Sequence, residues 1–250
     1  MSLFRIKSFA MIVLSVVAVF VMLGCGGGAP KSTVNNEQPE RATQAEDDAN
    51  AVRGKTFDAA ESSEQAENGE QTVVFKSADG RALLTFKKYA DHDKIEIDDN
   101  GTMRVFKGRS NKPGSFKYKE AAADNSEKQL IAEVKRKSDS FKLFDDSDKL
   151  LWKVKINEDK VKVSDNEENK NAFEIVKSSP DRCKIRDRAA IELGDVKYYP
   201  DNGKLKVKTE QNEEVIITKD SKNVVAPGVV LFSEIPLELR AIIINELLRY

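Results

Sequence analysis

From Gln71 onward, apolar residues fall at alternate positions in short runs broken by turn residues, and this constrains the fold more than any other feature of the chain. In Trp152-Lys153-Val154-Lys155-Ile156, in Lys160-Val161-Lys162-Val163 and in Lys204-Leu205-Lys206-Val207, one set of side chains is apolar and the other is lysine. A period of two places all the apolar residues on one face of a strand and all the lysines on the other. Between the runs stand Asp79-Gly80, Asp99-Asn100-Gly101 and Asp201-Asn202-Gly203, whose Asp-Gly and Asn-Gly pairs suit the positive φ angles of tight hairpins.

The same phrase recurs. Leu83 to Phe86, a turn and Lys94 to Ile97 are matched by Leu150 to Ile156, a turn and Lys160 to Val163, with Leu83 opposite Leu151, Phe86 opposite Val154 and Ile95 opposite Val161. A third, looser copy runs from Cys183 through Ile191-Glu192-Leu193 and Val196 to Tyr199 to Val207. The expected fold class is therefore mainly β, with antiparallel meanders forming a barrel or a sandwich. The chain then changes period. After Ser233 and Pro236, which suit a helix start, Leu237, Ala241, Ile244 and Leu248 recur at helical spacing, and Glu238, Asn245 and Arg249 share the opposite side. A C-terminal hydrophobic helix over 237–250 is predicted, packed against or within the β structure.

Upstream of the β pattern the composition is different. From Gly26 to Glu70 four Lys and Arg stand against ten Asp and Glu, with Val34, Val52 and Phe57 the only large apolar residues. Such a stretch cannot bury enough surface to offset its ordering entropy, so residues 25–70 are expected to form a disordered acidic linker. A flexible coil of that length reaches about 35 to 40 Å.

At the start, Arg5 and Lys7 precede the uncharged run Phe9 to Leu23, which ends in Gly24-Cys25-Gly26-Gly27-Gly28. This three-part pattern of charge, apolar run and small-residue box resembles a bacterial lipoprotein signal peptide. The resemblance implies that residues 1–24 are removed after Gly24 and that Cys25 carries a diacylglyceryl group. Met22 stands where that family prefers leucine. The apolar run is shorter than the roughly 20 residues of a spanning helix, whereas two or three acyl chains give stable anchoring. The implied location is the exported side of the cell membrane or outer membrane. By the same analogy, Gly26 after the cysteine points to the outer membrane where a cell has two. The remaining cysteine, Cys183, lies in a strand-like run and reads as a small buried side chain.

The chain as a whole is 33% charged with a formal net charge of −1, a balance that argues against a nucleic-acid partner. The single histidine, His92, lies in the polar turn Asp91-His92-Asp93-Lys94 and reads as solvated, which removes multi-histidine metal sites and leaves no Ser-His-Asp triad without it. Asp98 to Gly101 and Asp145 to Asp148 lack the ligand spacing of calcium loops, and turn chemistry accounts for them. No cofactor or metal is expected, and no catalytic set is assigned. The candidate site residues are Lys153, Lys155, Lys160 and Lys162, a lysine face suited to an anionic lipid or glycan. Hairpins such as Leu143 to Leu151, followed by a C-terminal apolar helix, resemble the tubby and LURP-one related fold, which implies a barrel threaded by that helix. The expected function is a lipid-anchored, non-enzymatic binding or scaffold domain that meets an anionic lipid, a glycan or another envelope protein. The alternative is a glycan-directed envelope hydrolase using a carboxylate pair, which requires two acids sharing one cleft.

Overall fold

The computed structural model describes residues 71–122 and 126–250. The expected signal peptide with Gly24, Cys25 and the expected acidic linker lie outside the described residues.

The alternating runs form strands, each pairing antiparallel with the next: β1 Gln71–Lys76, β2 Ala82–Lys88, β3 Asp93–Asp99, β4 Thr102–Lys112, β5 Ser115–Ala121, β6 Glu127–Arg136 and β7 Ser140–Phe144. They continue as β8 Leu150–Ile156, β9 Lys160–Ser164, β10 Phe173–Ser179, β11 Arg182–Arg186, β12 Glu192–Tyr199, β13 Lys204–Thr209 and β14 Glu214–Thr218. β14 returns to β1 and closes a fourteen-stranded barrel. The barrel, not the sandwich, is thus the fold adopted. Its seam is short: Lys76 opposite Ile217 is the one register pair between β1 and β14, and Asp220 Oδ2 accepts the Val74 N–H at 3.0 Å where strand pairing has ended.

Turn chemistry places the hairpins as expected. Asn100 and Gly101 both have positive φ, 52° and 88°, the geometry that a two-residue hairpin of matching twist requires. Asp145 Oδ1 accepts the N–H groups of Ser147 and Lys149, each at 2.9 Å, and Asp98 Oδ1 accepts that of Gly101 at 2.7 Å. These carboxylates are spent on their own turns.

Two strands escape the sequence reading, β10 and β14. In β14 the run Val215-Ile216-Ile217 has no alternation to mark it. Conversely, Ile191-Glu192-Leu193 and Val196 to Tyr199 are not separate strands, because β12 runs through Gly194. At Gly194 φ is 154° and a Cβ would come 2.9 Å from the Leu231 side chain, so glycine lets one strand pass where another residue would break it. The recurring phrases occupy equivalent places: Phe86, Val154, Ile95 and Val161 all point inward and are buried.

Strands about 4.8 Å apart and tilted about 40° close, at fourteen, on a radius of about 14 Å. Inward side chains alone do not fill that width. The C-terminal segment does, as a 3-10 helix at Ala226–Leu231 followed by α1 at Leu237–Leu247. Val229, Phe232, Ile235 and the run Ala241 to Ile244 are fully buried and belong to one core with the inward faces of the strands. α1 ends three residues short of the predicted 250. Its expected polar side is also corrected: Asn245 is fully buried, as is Glu246 beside it. Glu238 and Arg249 at the two ends of the helix stay partly exposed, but Asn245 and Glu246 have no solvent beside them and must find partners on the wall.

Candidate functional site

Successive hairpin turns fall at opposite ends of an up-and-down barrel. The near end holds the start of β1, since Gln71 pairs with Lys88 and Lys88 with Asp93. It also holds the C-terminal end of α1, through Arg249 on Asp93. The far end collects the turns containing Asp98 and Asp99, Asp145 to Asp148, Glu167 and Glu168, and Asp187. The near end holds acidic turns as well, with Asp91, Asp139, Glu158 and Asp159, Asp181 and Asp201.

At the near end a slot in the wall holds a polar cluster. Asp93, Gly108, Tyr118 and Ala132 stand side by side across β3 to β6. Tyr118 is fully buried, and a Cβ at Gly108 would come under 3.0 Å from three carbons of its ring. Glycine and alanine on either side thus make the space for the phenol. Tyr118 donates to Glu246 Oε1, and its oxygen accepts Asn245 Nδ2 at 2.9 Å. Asn245 Nδ2 also lies 2.7 Å from Asp93 Oδ2. Arg136, the last residue of β6, grips Glu246 with Nε and, at 2.7 Å, with Nη2, while Arg249 pairs with Asp93. Both guanidinium groups lie over Phe116, at 3.7 Å for Arg136 and 5.2 Å for Arg249, a cation–π arrangement.

The electrostatics follow from this packing. Burial, reinforced by the Glu246 and Asp93 charges, pushes the Tyr118 phenol well above its usual range. Burial and then Arg249 pull the Lys88 ammonium down, although Asp93 and Glu246 oppose that shift. Arg249 pairs with Asp93 and also stands 3.9 Å from Glu246, which Arg136 holds, so two guanidinium groups balance the two buried carboxylates. It ties the end of α1 to β3, β5 and β6.

Tyr118 yields an alkaline prediction. A raised acid keeps its proton in the folded chain where the unfolded chain has released it, so stability is complete below the ordinary tyrosine value of about 10 and falls as pH rises above it. Cys183, whose thiol burial raises to about 11, acts in the same direction. Tyr118→Phe is expected to lose about 1 to 2 kcal/mol at neutral pH and to show a shallower alkaline decline. Urea midpoints measured from pH 8 to 11 test this, and equal alkaline slopes for the two proteins would count against it.

The sequence-derived candidates lie elsewhere, on the outer wall. Lys142 faces Lys153, and Lys155 faces Lys162, across neighbouring strands, arrangements that repel unless acids intervene. Glu167 takes Lys142 at 2.7 Å and Lys153 at 3.8 Å, and Glu174 takes Lys160 at 3.0 Å and Lys162 at 3.3 Å. Part burial alone would raise the Glu174 carboxyl, yet hydrogen bonds from both lysines hold it below the usual carboxylate range. Among the described residues, Lys155 has no acidic partner. The four lysines share a convex wall, and one of them, Lys160, also reaches the barrel mouth.

That mouth carries a cleft of about 310 Å³ beside the end of α1. Ile175, Val224 and Leu247 form apolar parts of its lining, with Lys160, Lys177 and Lys222 among its polar residues. Asn223 donates to Leu247 O at 3.0 Å, covering a terminal carbonyl of the helix.

Sequence reasoning placed Asp93 in a solvated turn. It is instead 3% exposed at the start of β3, its carboxylate turned toward α1. His92 beside it stacks on Tyr89 with ring centroids 4.6 Å apart and sits 2.7 Å from Asp91. Glu246 and Arg136 were missed altogether. An acid next to an amide near a helix end reads as a solvent-facing pair, and Arg249, three residues on, offers Glu246 a local cation, so nothing in the residue order points to Arg136. No protein-family model, curated protein or solved structure matches the chain.

Proposed function

We propose that the chain is an exported, lipid-anchored protein of the cell envelope, attached through Cys25, whose barrel is a non-enzymatic binding or scaffold domain. The observation that carries this reading is the commitment of the interior. The barrel is filled by the chain's own helix, and the buried carboxylates Asp93 and Glu246 are each held by an arginine. A glycan hydrolase needs one carboxyl free to protonate a leaving group and another to act on the sugar, and these two are engaged with cations. The surfaces left for recognition are the mouth and the charged wall.

The anchor is tested by mass analysis of the amino-terminal peptide from membrane fractions. The expected result is an acylated Cys25 at the amino terminus, with the Cys25→Ala chain losing its membrane retention. An unmodified Cys25, or a variant retained as strongly as the wild type, would overturn the anchor.

A further inference from the structure

We propose that the mouth cleft binds an anionic amphiphile, a molecule with one apolar chain and a phosphate or carboxylate head. This deepens the reading of the barrel as a binding domain and rests on it.

Three observations converge. The cleft is apolar inside, where Ile175 is 1% exposed, Leu247 2% and Val224 4%. Cations stand around this lining: Lys177 and Lys222 are exposed and have no carboxylate partner among the described residues, while Lys160 shares Glu174 with Lys162. No acidic residue lines the cleft. An apolar floor with unpaired cations at its rim complements a molecule that is apolar at one end and negative at the other.

The place in the fold supplies the rest. The negative end of the α1 dipole would repel an anion, but Asn223 and Lys88 cover its last carbonyls at Leu247 and Leu248, the latter at 3.5 Å. Glu158, Asp159 and Asp181 stand in turns at this same end of the barrel, but none of them lines the cleft. A cleft of this volume lies near the lower bound for small-molecule sites. It suits a head group and the first part of a chain, with the remainder extending out of the mouth.

The test uses the full chain in phosphatidylcholine vesicles, irradiated with octyl phosphate bearing a diazirine on its chain. Adducts are expected on the peptides that contain Ile175, Val224 or Leu247. Reversing two rim charges in Lys177→Glu/Lys222→Glu is expected to lower their yield about tenfold. Lys128→Glu/Lys149→Glu, on exposed lysines away from the mouth, should leave it unchanged. Diazirine-bearing octanol sets the apolar background, and diazirine-bearing octanoate shows whether a carboxylate head, as in a free fatty acid, serves as well as a phosphate. Circular dichroism and melting verify that the variants fold. Equal labelling by octanol, labelling insensitive to the rim reversal, or adducts confined to other peptides would overturn the site. None of these results depends on Cys25 being acylated, so failure of the cleft and failure of the anchor are told apart.

Discussion

Replacing Glu246 by alanine is expected to destabilise the barrel by about 3 to 5 kcal/mol, the cost of breaking one side of a buried ion pair. Glu246 is fully buried and receives Arg136 through two nitrogens and Tyr118 through its hydroxyl. Its removal leaves a guanidinium that is 19% exposed, with no anion on it, and a buried phenol with one fewer acceptor. The size of the loss comes chiefly from those stranded groups. Arg136→Met combined with Glu246→Leu should therefore recover much of what the single alanine loses, since neither charge then remains to be solvated. Equilibrium urea unfolding of the wild type, both single variants and the pair measures this. A loss below about 1 kcal/mol for Glu246→Ala would mean that the ion pair is open to water and does not anchor the helix.

Ending the chain at Lys222 is expected to abolish cooperative folding. The removed segment carries Val229, Phe232, Ile235, Ile242, Ile243 and Ile244, all without exposure to solvent. At about 1.5 to 3 kcal/mol for each large apolar side chain taken from water, their loss alone matches the 5 to 15 kcal/mol that holds a typical domain together. The barrel has no means of compensating. A wall of about 14 Å radius is too wide for inward side chains to meet across it, and its seam has a single register pair. Near-ultraviolet circular dichroism and calorimetry of the truncated chain should show neither the aromatic signal nor the thermal transition of the full one. A cooperative transition retained in the truncated chain would show that the wall stands without its filling.

Several elements were legible from residue order because their causes are local. Alternation in β8, β9 and β13 names the inward side chains before any partner is known, since a pleated strand sends successive residues to opposite faces. Asn100-Gly101 marks a hairpin because few other pairs adopt positive φ twice. The period of α1 identifies a helix and, from the width of its apolar stripe, one that is buried. β14 was not legible, because a short apolar run carries the same residues whether it is strand or core helix.

What joins these elements was decided only in three dimensions. Glu246 meets Arg136 across 110 residues and Tyr118 across 128, and Asn245 meets Asp93 across 152. No periodicity links positions so far apart. The sequence by itself determined a β meander, the faces of its strands and a C-terminal helix, because steric and hydrophobic preferences act over a few neighbouring residues. The tertiary structure alone decided that the meander closes at fourteen strands, that the helix fills it, and that a cation-rimmed cleft opens beside the helix end. Closure brings every second hairpin to one end of the barrel, so which turns are neighbours is a property of the ring.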